Sequence, residues 1–396
     1  MRIALISTDY PPLRTSAAVQ LRDLAQEMLA LGHTPVLLVP AEGQPTSCVV
    51  EMLDGVQVVR LSAFRFRDIG YVRRTLSELV LPFVMLARLR RSEFADVRWD
   101  AVVWYSPPIF FGPLVWFLKR ASTCRAYLIL RDIFPEWAVD LGLLRKGPAY
   151  YFFRLVARIQ YAIADCIGVQ SPSNLKYMES WATEKRRLEV LQNWLADAQN
   201  TGSSIVVDEM PIAGRKIFVY VGNMGIAQAM DVFIDLAEQM LPRKEIGFLF
   251  VGRGTESARL AAEARRRGLE NVVFHGEIDS REIPGLLAQC HVGLLALDPR
   301  HRTHNIPGKF LTYLQAGLPV LARVNPGTDL VSLIETENVG VAYSGDSVER
   351  LKELAEALIS DEGVIHTMAE NGRALGRRMF SPTAAVEQIT SSLKSA

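Results

Sequence analysis

Pro307, Gly308 and Lys309 open a short stretch of apolar periodicity, and residues of these types in this order can hold phosphate. Proline and glycine sit poorly inside a helix, so the helix predicted over 309–316 emerges from a loop at Lys309, and Gly317 stops it. The first N–H groups of a helix have no intrahelical partner and carry partial positive charge. With a lysine beside them they cradle an anion. The same residues also read as an ordinary helix-to-strand connection with a solvated lysine. Three further glycine turns stand at the ends of apolar runs: Gly222-Asn223-Met224-Gly225, Gly252-Arg253-Gly254 and Gly276-Glu277-Ile278. Each alone is turn chemistry. Taken with Gly308 and Lys309 they outline one crevice with close backbone approach and two cations, Arg253 and Lys309, which suits a diphosphate-linked ligand.

Such turns act together only if strands carry them to one edge. In the second half, strands are predicted over 217–221, 247–251, 272–275, 292–297, 320–322 and 339–342, with helices over 231–239, 256–267, 281–290, 309–316, 329–334, 348–360 and 363–377. The first half alternates in the same way: strands over 2–7, 35–39, 56–61, 101–105, 126–130, 166–169 and 188–191, with a helix over 17–31 that Gly32 ends. Apolar strands that alternate with helices make an α/β protein with parallel sheets covered on both faces. In open sheets of this kind ligands lie beyond the carboxyl ends of the strands.

A chain of 396 residues suits two domains. The alternation lapses over 196–213, where Asp197, Asn200, Gly202 and Pro211 mark a linker. The expected plan is therefore a domain over 1–195, a second over 214–378 and a last helix within 379–396. Cys48, Cys124, Cys166 and Cys290 show no metal spacing and fit a reduced, cytoplasmic protein. The N-terminus lacks the pattern of a signal peptide, and no apolar run is long enough to span a bilayer. The net charge of +1 is uneven: residues 1–190 hold 24 Lys and Arg against 18 Asp and Glu, and the surplus lies in 60–91.

With these elements in place, longer stretches resemble a known family. Tyr220-Val221-Gly222-Asn223, the Phe250-Val251-Gly252-x-Gly254 turn, and the block Pro307-Gly308-Lys309-Phe310-x-x-Tyr313-Leu314-x-Ala316-Gly317-x-Pro319-Val320 are similar to the nucleotide-sugar half of GT-B glycosyltransferases of family 4. Asp9-Tyr10-Pro11-Pro12, Leu31-Gly32-His33 and Val190-Leu191-x-Asn193-Trp194 agree in the first half. Arg131-Asp132-x-x-Pro135-Glu136 resembles the bacterial subgroup that builds O-antigen, capsule or colanic-acid-type polysaccharides, often with acetamido deoxy sugars. The resemblance implies two Rossmann-like domains facing a central cleft, with the C-terminal helix crossing back to the first. It implies retaining transfer from a nucleotide sugar, UDP-linked, to a polyprenyl-diphosphate-linked saccharide, with the departing diphosphate accepting the proton. No cofactor is implied, and the absence of Asp-x-Asp argues against a required metal.

By the same resemblance Lys309, Arg253, Gly308 and the Ser16 hydroxyl hold the diphosphate, and Gly222, Gly252, Glu277, Ile278 and Phe310 line the nucleotide. The family's glutamate pair, eight residues apart, falls on His304 and Thr312. Its diphosphate-facing arginine and lysine fall on Asn223 and Gln228, and its first-loop double glycine on Thr15-Ser16. His304 reads as a hydrogen-bond partner of the transferred sugar or as a solvated loop histidine. Asp132 reads as the acceptor-orienting group or general base, or as a helix cap.

Residues 64–91 interleave aromatic and leucine-rich segments with arginines, the composition of a segment lying in a headgroup layer. They would hold the protein at the inner-membrane surface. Two other stretches, 109–120 and 150–161, also mix aromatics and arginines and read either as further headgroup-layer segments or, in preference, as core helices with snorkelling arginines. No nucleic-acid module accompanies these charges. Two rival functions stay open. One is a dinucleotide-dependent oxidoreductase, imitated by Val221-Gly222-Asn223-Met224-Gly225, although no GxGxxG is present. The other is a catalytically silent GT-B subunit, suggested by the missing glutamates and cations.

Overall fold

The computed structural model describes residues 1–13, 15–140, 142–197, 200–298 and 306–394. They form two compact units, Met1–Trp194 with the last helix, and Leu195–Ser381.

The first unit runs β1 (Arg2–Ile6), α1 (Ser16–Ala30), β2 (Thr34–Glu42), β3 (Cys48–Leu53), β4 (Val56–Ala63), α2 (Tyr71–Leu89), β5 (Ala101–Ser106), α3 (Gly112–Ser122), β6 (Arg125–Leu130), α4 (Glu136–Asp140), α5 (Pro148–Ile163), β7 (Cys166–Val169), α6 (Pro172–Met178) and β8 (Arg187–Val190). Its sheet has the order β3-β4-β2-β1-β5-β6-β7-β8, parallel except for the edge strand β3. The central strands are continuous apolar runs because helices cover both faces: α2, α3 and α5 one face, α1 the other. β3 is an element that the alternation does not predict. It pairs antiparallel with β4 across Asp54-Gly55, both at positive φ (50° and 81°), the backbone that a two-residue hairpin turn demands.

The second unit runs β9 (Lys216–Val221), α7 (Asp231–Gln239), β10 (Ile246–Val251), α8 (Ser257–Arg266), β11 (Val272–His275), α9 (Ile283–Leu287), β12 (Val292–Ala296), α10 (Gly308–Ala316), β13 (Val320–Arg323), α11 (Asp329–Thr336), β14 (Gly340–Tyr343), α12 (Val348–Ile359) and α13 (Glu362–Met379). All six strands are parallel, in the order β11-β10-β9-β12-β13-β14. β9 begins the unit yet lies between β10 and β12, so the strand order reverses beside it. That reversal opens a crevice at the carboxyl ends of β9 and β12. Residues 200–213, expected as a linker, bring Ile205, Val207 and Ile212 into this unit's core. The backbone there is held by side chains of the unit itself, with Ser204 N–H donating to Glu282 and Val207 N–H to Gln289.

The last helix, α14 (Pro382–Lys394), belongs to the first unit. Val386, Ile389 and Leu393 pack with Leu21, Leu24 and Met28 of α1. Ser392 Oγ donates to Glu189 at 2.9 Å, and the Tyr127 hydroxyl donates to the same buried carboxylate at 2.8 Å.

Candidate functional site

α10 is seated by its own sequence. Gly317 adopts φ +72° and closes the helix, with Leu318 N–H donating to Tyr313 O and Gly317 N–H to Leu314 O. Tyr313 is fully buried; its hydroxyl donates to Val219 O and accepts from Val221 N–H at 3.1 Å, fixing the helix to β9. A side chain at Gly293 of β12 would stand 2.5 Å from the Tyr313 ring, so glycine there lets the ring lie flat on the sheet. The start of α10 is thereby held at the strand reversal.

Lys309, the second residue of α10, turns into the crevice and is partly buried. Its Nζ donates to the Tyr220 hydroxyl at 2.5 Å and lies 4.2 Å from the centre of that ring. The Tyr220 hydroxyl donates onward to Asn223 O at 2.6 Å. The Lys309 stem passes under the backbone of Gly222, where a Cβ would come within 3.4 Å of Cε. No carboxylate among the described residues pairs with this ammonium, and burial pulls its pKa down to about 8. A desolvated cation with a phenol as its partner is a berth for an anion.

The glycine turns serve one another rather than lying open. Gly252 (φ +144°) and Gly254 (φ +150°) sit so close to the 222–225 loop that a Cβ on either would come within 2.2 Å of a carbonyl oxygen, Gly222 O or Met224 O. Met224 N–H donates to Arg253 O at 2.7 Å, and Gly252 N–H to His275 O at 3.1 Å. Three successive strand ends are thus lashed together by main-chain bonds. Asn223 and Gln228 engage each other: Asn223 Nδ2 donates to Gln228 Oε1 at 3.3 Å, and the same oxygen accepts from Gly225 N–H at 2.9 Å. Where the resemblance expects two cations, this chain closes its loop with a neutral amide pair.

The remaining expected residues are placed unequally. Arg253 is mostly in water and pairs with Glu277 at 3.3 Å, a contact of little energetic weight. Gly308 begins α10 with nothing within 4 Å of where a Cβ would stand, and the N-cap residue Pro307 gives the helix start no side-chain hydrogen bond. Phe310 corrects the reading: it is fully buried and meets Phe380 edge-on at 6.2 Å, so it cannot line a nucleotide. Ile278 packs partly against the same core. Thr312 spends its hydroxyl on Gly308 O, one turn back in its own helix, at 3.3 Å. His304 lies outside the described residues. Sequence reasoning passed over Tyr220 and Asn325. Tyr220 was legible only as a strand residue before Gly222, and Asn325 follows β13 buried with its Oδ1 unmatched.

In the first unit, Asp132 follows β6 at the carboxyl edge and is half-buried. Its carbonyl accepts from Phe134 N–H at 3.0 Å, while Arg131 N–H donates to Ser106 O, tying the loop to β5. The neighbouring Glu136 opens α4, and burial raises its carboxyl pKa. Ser16 is exposed at the start of α1, behind the Thr15 cap that accepts from Ala18 N–H.

Residues 15–194 match the family described as Glycosyl transferase 4-like domain, and residues 215–361 match Glycosyl transferases group 1. The chain belongs to the family 4-type glycosyltransferases. This excludes the oxidoreductase reading, and the second unit also lacks an acid after β10 for a ribose, since that strand ends in Gly252-Arg253-Gly254. The two sheets are those of the GT-B fold. An Escherichia coli protein named for colanic acid biosynthesis, the glycosyl transferase WcaI, is 27% identical over 379 residues, covering 89% of this chain and 90% of that one. A Pseudomonas aeruginosa protein named as glycosyltransferase WbjE is 24% identical over 230 residues, and the match spans 57% of its length and 56% of this chain. Among solved structures, Anabaena HepE in complex with UDP-glucose superposes with a TM-score of 0.68 over all of both chains at 16% identity.

Proposed function

We propose that this glycosyltransferase moves a sugar from a UDP-linked donor to a saccharide carried on a polyprenyl diphosphate, in assembly of a bacterial surface polysaccharide, with retention of configuration. The observation that carries the reading is Lys309, a desolvated ammonium without a carboxylate partner among the described residues, at the opening turn of α10 and at the strand reversal of the second unit. The colanic acid relative and the UDP-glucose complex of HepE support the choice of pathway and carrier.

In the proposed reaction the bond from the anomeric carbon to the diphosphate breaks with its electron pair leaving on the diphosphate oxygen. The acceptor hydroxyl attacks the same face, and its proton passes to that leaving oxygen. The protein supplies charge stabilisation from Lys309 and the N–H groups of Gly308 and Lys309, with Arg253 as an outer contact. Asp132 orients the acceptor hydroxyl. Gly222 and Gly252 shape the backbone around the nucleotide. The donor's charge is met by the chain's own cation, and the reading assigns neither a metal nor a cofactor.

The neutral Asn223–Gln228 pair favours a second reading, a non-catalytic subunit that binds a partner enzyme. Release of UDP from a panel of UDP-sugars by the purified protein separates the two. UDP formation that Lys309→Met abolishes supports transfer; no UDP formation from any donor, with or without lipid acceptor, supports the silent subunit.

A further inference from the structure

Three helices that the sequence suggests treating separately lie in one layer. α3 packs against both α2 and α5, and all three bury their inner sides in the same core, with Leu81 and Met85, Leu114 and Leu118, and Ala157 and Tyr161 facing the sheet. Their outer sides are apolar. α2 exposes Tyr71, Leu76 and Phe83, α3 exposes Trp116, and α5 exposes Leu155 and Ile159; Tyr71 is 90% and Leu155 59% accessible. More than half of the large exposed apolar side chains among the described residues belong to these three helices. Scattered single apolar residues are ordinary on a surface, but a contiguous set is not.

The charge on this layer has one sign. α3 and α5 contain no Asp or Glu, and the lone acid of α2, Glu78, is buried against Arg74 at 2.8 Å. Arg73, Arg120, Arg154 and Arg158 are exposed on the same helices. Arginine stems beside Trp116 and Tyr71 form the kind of belt that sits at a headgroup boundary. No helix among the described residues is long and apolar enough to cross a membrane.

We propose that the outer face of α2, α3 and α5 is an interfacial surface that docks flat on an anionic bilayer. Of the 64–91 stretch that the sequence suggests, this surface keeps 71–89 as α2 and leaves out 64–70. Residues 64–70 do internal work: Phe66 is buried, Arg67 donates to Thr8 O and pairs with Asp9 at 3.6 Å, and Arg65 donates to Arg67 O and Asp68 O. The layer rests on and deepens the lipid-linked acceptor reading, since it places the acceptor-binding unit where a polyprenyl carrier resides.

The test is co-sedimentation of the full chain with vesicles of three parts phosphatidylglycerol to one of phosphatidylcholine, and with pure phosphatidylcholine, in the absence of sugar nucleotide. Wild type should bind the anionic vesicles and lose them at 0.5 M salt. Leu76→Gln with Phe83→Gln, and separately Leu155→Gln with Ile159→Gln, should each lower the partition coefficient roughly tenfold. Arg73→Gln with Arg120→Gln and Arg154→Gln should lower it roughly a hundredfold. The urea unfolding midpoint controls for folding of the mutated unit, and UDP affinity reads the other unit. Vesicle binding that neither apolar pair changes overturns the proposal. So does a dimer in light scattering that the α5 pair dissolves while no vesicle binding is seen, which would give the face to a second copy. A wild type that does not bind the anionic vesicles yet binds UDP sinks this surface alone, and a wild type that binds the vesicles but not UDP sinks the donor site alone.

Discussion

Replacing Lys309 by methionine separates what the residue costs the fold from what it gives to a ligand. In the folded protein its pKa is about 8 against 10.5 unfolded, so the unfolded chain holds the proton more tightly. At 1.36 kcal/mol per pKa unit the charged form carries a penalty of about 3 kcal/mol at most, and roughly 1–2 kcal/mol once partial water access is allowed for. The sign follows from linkage. Between pH 8 and 10.5 the unfolded state binds more protons, so stability rises with pH in that window, and below pH 8 the penalty is fully present. Lys309→Met should therefore raise the melting temperature of the second unit near pH 7 by about 2–8 °C and flatten its rise above pH 8. The same change should weaken UDP binding roughly 30- to 1000-fold, because a desolvated cation facing a diphosphate contributes about 2–4 kcal/mol. Calorimetry in two buffers of different ionisation enthalpy reads the coupling directly. Wild type should take up about half a proton on binding UDP at pH 8, since the free ammonium is then half protonated and the bound one fully so. UDP affinity unchanged in Lys309→Met, with no proton uptake by wild type at pH 8, would refute the reasoning.

Gly252→Ala should cost about 3 kcal/mol or more in chemical denaturation and abolish UDP binding, because its Cβ would strike Gly222 O, whereas Gly308→Ala should stay within about 0.5 kcal/mol. Asp132→Asn should lower kcat at least tenfold while leaving UDP affinity unchanged, if that side chain acts on the acceptor hydroxyl; equal kcat in steady-state assays would return it to a structural role. Glu189→Ala should cost about 2–4 kcal/mol in urea unfolding, since it strands the Tyr127 and Ser392 hydroxyls and the Arg187 guanidinium.

The fold was legible where periodicity is strong. Parallel strands such as β1, β5 and β9 are buried on both faces and so read as unbroken apolar runs, and Gly32 and Gly317 punctuate their helices unambiguously. β3 escaped because Cys48–Leu53 is an edge strand with mixed exposure; its one signal was the Asp54-Gly55 dipeptide. At the site, Lys309 could be named from its place after Pro307-Gly308, but its pairing with Tyr220 could not, because that contact crosses 89 residues of sequence. Phe310 was misread because a resemblance carries a residue's place in a motif and not which side of a short helix meets the core. Asn223 and Gln228 were recognisable as departures, yet only geometry reveals that they satisfy each other. The stretches 109–120 and 150–161, for which the sequence favours core helices over a headgroup-layer reading, are core on one side only. A helix wheel fixes which residues group together, while the layer they join decides what the other side meets.

The position of α14 bears on how the chain comes off the ribosome. The first unit's sheet is built from residues 2–190, but Leu21, Leu24 and Met28 of α1 gain Val386, Ile389 and Leu393 as neighbours only after the whole second unit has been made. During synthesis the apolar side of α1 therefore stays uncovered until α14 emerges. A premature stop near Pro382 would strip the cover from α1, more than 350 residues upstream.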